Sequence, residues 1–299
     1  MAILVGRQSR IIIQGITGGV GRNLAHRFLD EGSPLVAGVS PRNAGGEVAG
    51  LPVYASCYEA VAEVGATASF ISVPAPHMRD AALEAIDAGI KTIVGYAEGV
   101  PMLDALHMAA CAKARGACLI GPNAAGCISP GEANLSDLNG ALLRQGRIGI
   151  VSKSGTLTYE VIADLNRHDL GQSTVVCLGG DPVIGTSHRD ALALFEQDDD
   201  TDAIVVIGEI GGRSELDAAK FIRTMNKPVI AYIAGRHAPP GKRMGHAGAL
   251  MGAPDENVPG KQGALRAAGA LVVDSLFEIG DATRRILSGE KTEKPRVDA

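Results

Sequence analysis

His246 stands in a run of small residues, Gly245-His246-Ala247-Gly248, after an apolar stretch, Pro228-Val229-Ile230-Ala231-Tyr232-Ile233-Ala234-Gly235, and a basic pair, Lys242-Arg243. Glycines on both sides open the backbone to close approach, so the imidazole can meet something as large as a phosphate. A lone loop histidine is ordinarily a solvated side chain; two other stretches give this one chemical company. In Ile207-Gly208-Glu209-Ile210-Gly211-Gly212 a single carboxylate ends an apolar run before paired glycines. At the C-terminal end of a strand, where open α/β sheets bind ligands, Glu209 can accept an imidazole N–H and leave the other ring nitrogen free as nucleophile. Its competing role is to cap the next helix.

In Val151-Ser152-Lys153-Ser154-Gly155-Thr156-Leu157-Thr158-Tyr159-Glu160 a strand turns into a helix. Ser154 or Thr156 can cap it, and the free amides around Ser154, Gly155 and Thr156 make an anion site. Gly179-Gly180-Asp181-Pro182 adds a glycine loop at the same edge. Together these residues describe transient phosphorylation of His246. Neutral imidazole attacks a terminal phosphoryl group, Glu209 holds the ring and its developing positive charge, and the helix end receives the phosphate oxygens. The chain has no P-loop pattern, so a nucleotide donor must bind elsewhere.

A first glycine loop, Gln14-Gly15-Ile16-Thr17-Gly18-Gly19-Val20-Gly21, follows Ile11-Ile12-Ile13. Its glycines let the backbone approach a diphosphate at a helix N-terminus. The second strand ends in Val39-Ser40-Pro41-Arg42-Asn43, with an arginine where an NAD site places an acid. That suits a nucleotide with an extra ribose phosphate, either NADP or coenzyme A; a solvated Arg42 is the alternative.

These residues need strands to carry them. Apolar runs at 11–13, 35–39, 68–73, 91–96 and 117–120 alternate with helical patterns such as 23–30 and 78–88. A second set lies at 147–151, 173–178, 203–207, 229–233 and 271–273. The rhythm predicts parallel strands with crossover helices in two doubly wound α/β sheets. The Gly-, Asn- and Ser-rich segment 126–146 reads as a junction, dividing the chain into 1–125 and 147–288 with a polar, frayed tail at 289–299. The 299 residues suffice for two medium domains. A net charge of −5 and the lack of a basic run with interleaved aromatics argue against nucleic-acid binding. The five cysteines form no CxxC pair and no ligand cluster, so no metal site is expected, and without a signal sequence they read as reduced cytoplasmic thiols. No apolar stretch reaches membrane-spanning length.

With these motifs in order, the sequence resembles the α subunit of succinyl-CoA synthetase and its relatives, the nucleoside-diphosphate-forming acyl-CoA ligases that include malate–CoA ligase. The resemblance covers about residues 1–290. It rests on Gln14-Gly15-Ile16-Thr17-Gly18, Val73-Pro74-Ala75-Pro76, Ala97-Glu98-Gly99, Gly121-Pro122-Asn123, Ser154-Gly155-Thr156-Leu157-Thr158-Tyr159-Glu160, Gly179-Gly180-Asp181-Pro182, Gly208-Glu209-Ile210-Gly211-Gly212 and Gly245-His246-Ala247-Gly248-Ala249.

The resemblance implies a Rossmann-like CoA-binding domain followed by a flavodoxin-like ligase domain. It implies that His246 is the phosphohistidine and Glu209 its partner. It also implies an ATP-grasp β subunit that binds ATP or GTP with Mg2+, in an αβ or α2β2 assembly. CoA contacts are implied at Thr17, Gly18, Gly19, Val20, Pro41, Arg42, Asn43, Val73, Pro74, Tyr96, Ala97, Glu98 and Asn123, with Tyr159 near the acid substrate. Two departures stand out. Asn43 occupies a turn position where the family often has lysine. Ala124-Ala125 replaces the usual Cys-Pro after Gly121-Pro122-Asn123, where the CoA thiol should approach the acid. These suggest a carboxylate other than plain succinate, hydroxylated or branched, such as malate, within a leading reading of a succinate– or malate–CoA ligase; a ligase for citrate, itaconate or a sulfonate, a non-catalytic CoA-binding protein or redox sensor, and a NADP oxidoreductase are the other readings.

Overall fold

A computed structural model describes residues 2–239 and 241–289. Most of the expected polar tail, 290–299, lies outside them. The described residues form two sheets of seven strands. The first contains β1 (Ile11–Gln14), β2 (Leu35–Val39), β3 (Glu47–Val48), β4 (Leu51–Tyr54), β5 (Ala68–Ile71), β6 (Thr92–Gly95) and β7 (Cys118–Ile120), in the order β3-β4-β2-β1-β5-β6-β7. All pairs are parallel except β3–β4. Helices α1 (Gly19–Asp30), α2 (Cys57–Val64), α3 (Ala75–Asp87) and α4 (Met102–Arg115) make the crossovers.

The second sheet takes β8 (Gly126–Ser129), β9 (Ala133–Ser136), β10 (Gln145–Ser152), β11 (Gln172–Cys177), β12 (Ala203–Glu209), β13 (Val229–Ala234) and β14 (Leu271–Val272), in the order β14-β13-β12-β10-β11-β8-β9. Its five parallel strands have the flavodoxin-like order, with the direction of winding reversing between β10 and β12. Helices α5 (Gly155–Arg167), α6 (His188–Glu196), α7 (Ser214–Ile222), α8 (Val258–Ala267) and α9 (Ile279–Leu287) complete this half. Both doubly wound sheets anticipated from the rhythm of apolar runs are present. No helix among the described residues is long and apolar enough to cross a membrane.

The segment 126–146, expected as a junction, holds the antiparallel hairpin β8–β9, a 3-10 turn at Gly140–Leu142 and the start of β10. The hairpin pairs with β11 and so extends the second sheet. It lacks an apolar alternation because its strands bury polar residues that find partners. Ser129 Oγ lies 2.8 Å from Thr174 Oγ1, and Asn134 Nδ2 donates to Glu31 Oε2 at 2.6 Å and to the Leu138 carbonyl at 2.9 Å.

The two halves share one apolar cluster that runs from Ile11, Phe28 and Phe70 to Leu135, Val176, Phe195 and Val206. Polar ties reinforce it. Arg27 on α1 donates to the Ser136 carbonyl at 2.9 Å and pairs with Asp137 at 3.1 Å, and the Tyr96 hydroxyl donates to Asp137 Oδ2 at 2.9 Å.

In the first half Gly21 lets α1 lie against the turn after β1: a Cβ there would stand 2.4 Å from the Gly15 carbonyl oxygen and 2.7 Å from Ile16 Cα. Both are backbone atoms and cannot rotate away. Gly21→Ala is therefore expected to destabilise the protein by about 2 kcal/mol and to weaken ligand binding at this loop. Unchanged thermal unfolding of that variant would contradict the packing argument.

Candidate functional site

Glu209 ends β12 and Ser152 ends β10, so Glu209 and the residues after Ser152 face the crevice where the second sheet reverses. Helix α5 starts there because Ser154 caps it: its Oγ accepts from Leu157 N at 3.2 Å. Thr156 lies within the first turn, so of the two hydroxyls expected as caps Ser154 is the one used. The Ser154 hydroxyl keeps its own proton to donate. Thr158, Val161, Ile162 and Leu165 bury one stripe of the helix and fix its axis. The amides of Gly155 and Thr156, at its first positions, have no partner inside the helix and meet the positive end of its dipole.

His246 reaches this crevice on the loop after β13. Its Nδ1 lies 2.6 Å from Glu209 Oε2. The carboxylate oxygen accepts there, so Nδ1 carries a proton, and in the neutral ring Nε2 presents the lone pair. Glu209 thus orients the ring and does not cap α7, whose N-cap is Arg213. The hydrogen bond to Glu209 holds the imidazole above its ordinary pKa against the opposing effect of burial; Glu98 raises it further and Lys153 lowers it. Lys153 Nζ lies 3.3 Å from the other carboxylate oxygen, Oε1.

The glycines that matter most for His246 are those beneath it. A Cβ on Gly180 would stand 2.5 Å from the ring's Cγ and 2.9 Å from Nδ1. Gly211, at φ +80°, lies so close to the loop that a Cβ would meet the Leu250 and Gly248 carbonyls at 2.5 and 2.6 Å. The loop is pinned by Gly248 N donating to the Gly180 carbonyl at 2.8 Å. By contrast, nothing lies within 4 Å of a Cβ on Gly245.

Behind Glu209 is a buried ion pair that sequence patterns did not reveal. Lys261, fully buried, donates from Nζ to the Glu209 carbonyl at 2.7 Å, the Gly211 carbonyl at 2.6 Å and Glu215 Oε2 at 2.5 Å. Glu215 Oε1 accepts from Glu209 N at 3.1 Å. Both backbone polar groups of Glu209 are therefore held by one Lys–Glu pair. Beside it, burial pushes the His188 imidazole down to about 4, so that ring stays neutral.

The residues expected at a CoA site fall in two places. A cleft of about 730 Å³ at the reversal point of the first sheet is lined by Thr17, Pro41, Arg42, Asn43, Val73 and Pro74, among others. Thr17 Oγ1 and Ser40 Oγ are 3.0 Å apart, and Ser40 Oγ donates to Asn43 Oδ1 at 3.2 Å, so Asn43 closes the turn that presents the exposed Arg42. Gly18 caps α1 and Gly19 and Val20 open it, outside that lining.

Glu98 and Asn123, with Ala97 beside Asn123, lie toward His246, whereas Tyr96 turns its hydroxyl to Asp137. Asn123, in the left-handed region at φ 56°, takes a backbone bond from its N to the Ala97 carbonyl at 3.0 Å and donates from Nδ2 to Asp181 Oδ1 at 3.0 Å. Burial holds the Asp181 carboxyl above its usual range, and Glu98 adds to this; the Asn123 bond, His246 and Lys153 oppose it. Ala125 abuts the start of α5, 3.4 Å from a Cβ built on Gly155, and Ala124 is buried. The Tyr159 hydroxyl accepts from Asn139 N at 2.8 Å, which ties α5 to the turn after the hairpin.

Two families match successive parts of the chain: a CoA binding domain over residues 7–99 and a CoA-ligase domain over residues 151–271. They define an acid–thiol ligase with its own CoA-binding domain. Succinate–CoA ligase [ADP-forming] subunit alpha 2 of Archaeoglobus fulgidus is 50% identical over 96% of this chain and 100% of its own length. The corresponding α subunit of Aquifex aeolicus is 47% identical over 96% of this chain and 95% of its own. ATP citrate lyase from Methanothrix soehngenii, solved with citrate and coenzyme A, matches 99% of this chain at a TM-score of 0.86 and 25% identity; the match spans 53% of that longer chain. The chain belongs to the family of the α subunits of ADP-forming succinate–CoA ligases.

The seat of His246 makes a direct test. Gly180→Ala should push the ring off Glu209 while leaving the sheets intact. His246-dependent chemistry should then fall about a hundredfold, as expected for a displacement of about an ångström, with little change in melting temperature. Wild-type activity in that variant would show that the ring does not work from this position.

Proposed function

We propose that this chain is the α subunit of a dicarboxylate–CoA ligase that carries a phosphoryl group on His246. The observation that supports it most is the His246 ring itself: fixed by Glu209 through Nδ1, laid on Gly180, and bonded at Nε2 to none of the described residues. In the first step the Nε2 lone pair attacks the terminal phosphorus of ATP or GTP. The bond to the bridging oxygen breaks and its electron pair leaves with the nucleoside diphosphate. Glu209 stabilises the cationic ring, and Ser154 with the Gly155 and Thr156 amides holds the phosphoryl oxygens.

A carboxylate oxygen of the acid then attacks phosphorus, and the P–N pair returns to Nε2. The resulting acyl phosphate is attacked at its carbonyl carbon by the CoA sulfur; phosphate leaves and takes up the thiol proton. CoA lies in the cleft lined by Thr17, Arg42, Asn43 and Val73-Pro74, with Gly18, Gly19 and Val20 at the helix start toward its diphosphate. Its thiol end runs past Tyr96, Ala97 and Glu98 to Asn123, and Tyr159 with Ala124 and Ala125 borders the acid. The chain divides functionally into a CoA-binding part, 1–125, and a ligase part, 147–288, across the segment 126–146.

Membership in a family of α subunits supports a β subunit partner. We assign it the ATP-grasp fold and the nucleotide with its Mg2+, in an αβ or α2β2 complex in the cytoplasm. The relatives are named for succinate, and the Ala124-Ala125 pair widens the site toward a hydroxylated acid such as malate.

In the assembled complex, terminally labelled ATP with Mg2+ should place an acid-labile, base-stable label on the chain. His246→Ala should abolish it, and Glu209→Gln should slow its formation by on the order of a hundredfold. Adding CoA with succinate or malate should discharge the label, with malate the faster if the alanine pair sets specificity. An unlabelled wild-type complex would refute the mechanism, and equal turnover of the two acids would refute the shifted specificity.

A further inference from the structure

Lys153 has no part in the phosphoryl transfer as described so far, yet it sits in the centre of the site. It follows the last residue of β10 and precedes the cap of α5, and its side chain is 7% exposed. Its ammonium stands 3.3 Å from Glu209 Oε1 while His246 occupies Oε2. The carboxylate is thus divided between the Lys153 ammonium and the His246 ring. That Oε1 is fully buried and has no hydrogen-bond donor of good geometry among the described residues, so Lys153 is what balances it.

The balance matters because orientation and protonation pull apart. A buried carboxylate against imidazole favours the imidazolium, and an imidazolium has no lone pair on Nε2 with which to attack phosphorus. Four charged groups act on the ring from the elements around it: Glu209 at the end of β12, Glu98 in the turn after β6, Asp181 in the turn after β11, and Lys153 after β10. Three of these are acids. Lys242 and Arg243, on the ring's own loop, are exposed to solvent, and Lys261 behind β12 is engaged by Glu215. Of these four groups, removing Lys153 would leave only carboxyl groups facing the ring.

We propose that Lys153 is a positioning residue that neutralises the far half of the Glu209 carboxylate, so that Glu209 orients His246 through Nδ1 while holding a second proton on Nε2 less tightly. The inference rests on the reading of His246 as phosphoryl acceptor. It adds a role that a merely structural counter-ion would not have: Lys153 sets the pH at which the nucleophile becomes available. The sign follows from charge. Without the ammonium the imidazole pKa rises, less ring is neutral at a given pH, and the acidic limb of the phosphorylation profile moves to higher pH.

The test is the first-turnover rate of label transfer from ATP·Mg2+ to the assembled complex, measured across pH for wild type, Lys153→Met and Lys153→Arg. Lys153→Met should move the acidic midpoint up by about one pH unit, a roughly tenfold loss of rate below the midpoint that is recovered as pH rises. Lys153→Arg, which keeps the charge, should retain the wild-type midpoint. If Lys153→Met does not assemble, Lys153→Gln carries the same expectation with a polar side chain. An unmoved or lowered midpoint in the charge-removing variant, or Met and Arg variants with the same profile, overturns the inference. A wild type that never labels defeats the phosphohistidine reading instead, so the two failures are distinguishable.

Discussion

The site depends on one hydrogen bond, 2.6 Å from His246 Nδ1 to Glu209 Oε2. A histidine offers two chemically different nitrogens, and a carboxylate that binds one of them decides what the other can do. Here the acceptor lies at Nδ1, so the ring is held by its inner nitrogen and presents its outer one. The oxygen opposite, Oε1, faces Lys153, and the backbone of Glu209 is anchored through both its N–H and its carbonyl by Glu215 and Lys261. A buried Lys–Glu pair is a doubtful source of stability, because desolvation offsets much of its attraction. Its value here is geometric: it fixes where the Glu209 carboxylate can point.

The fold brings these pieces together by topology. Open parallel sheets leave a crevice at the strand C-termini where the winding reverses, and each sheet has one. In the first, the crevice is the cleft beside Thr17 and Arg42; in the second, it holds Glu209, Lys153 and the start of α5. The shared core and the Arg27–Asp137 and Tyr96–Asp137 ties fix the two halves to each other. Asn123 spans the gap, bonded to Ala97 on one side and Asp181 on the other.

Much of this was legible in the sequence because it is written in local pattern. Apolar runs separated by helical stretches mark both sheets, and the His246–Glu209 pairing and the Ser154 cap were readable from residue type beside glycines. The hairpin β8–β9 was not legible, because Ser129 and Asn134 are buried polar residues with partners distant in sequence. The short edge strand β3 and its neighbour β4 also carry too few residues for a period to show. No sequence pattern singles out Lys261 and Glu215, and only their burial against Glu209 brings them into view. Gly180 and Gly211 were visible as glycines, but the reason for them is steric: each makes room for the histidine loop, one under the ring and one under its backbone.

The central claim is that Glu209 on Nδ1 makes Nε2 the phosphoryl acceptor. Nitrogen and phosphorus NMR of the phosphorylated complex, with nitrogen-labelled histidine, reads the position of the P–N bond directly. The account predicts phosphorus coupled to Nε2 and a proton retained on Nδ1. Phosphorus on Nδ1 would require the ring to leave Glu209 before it reacts and would contradict the account.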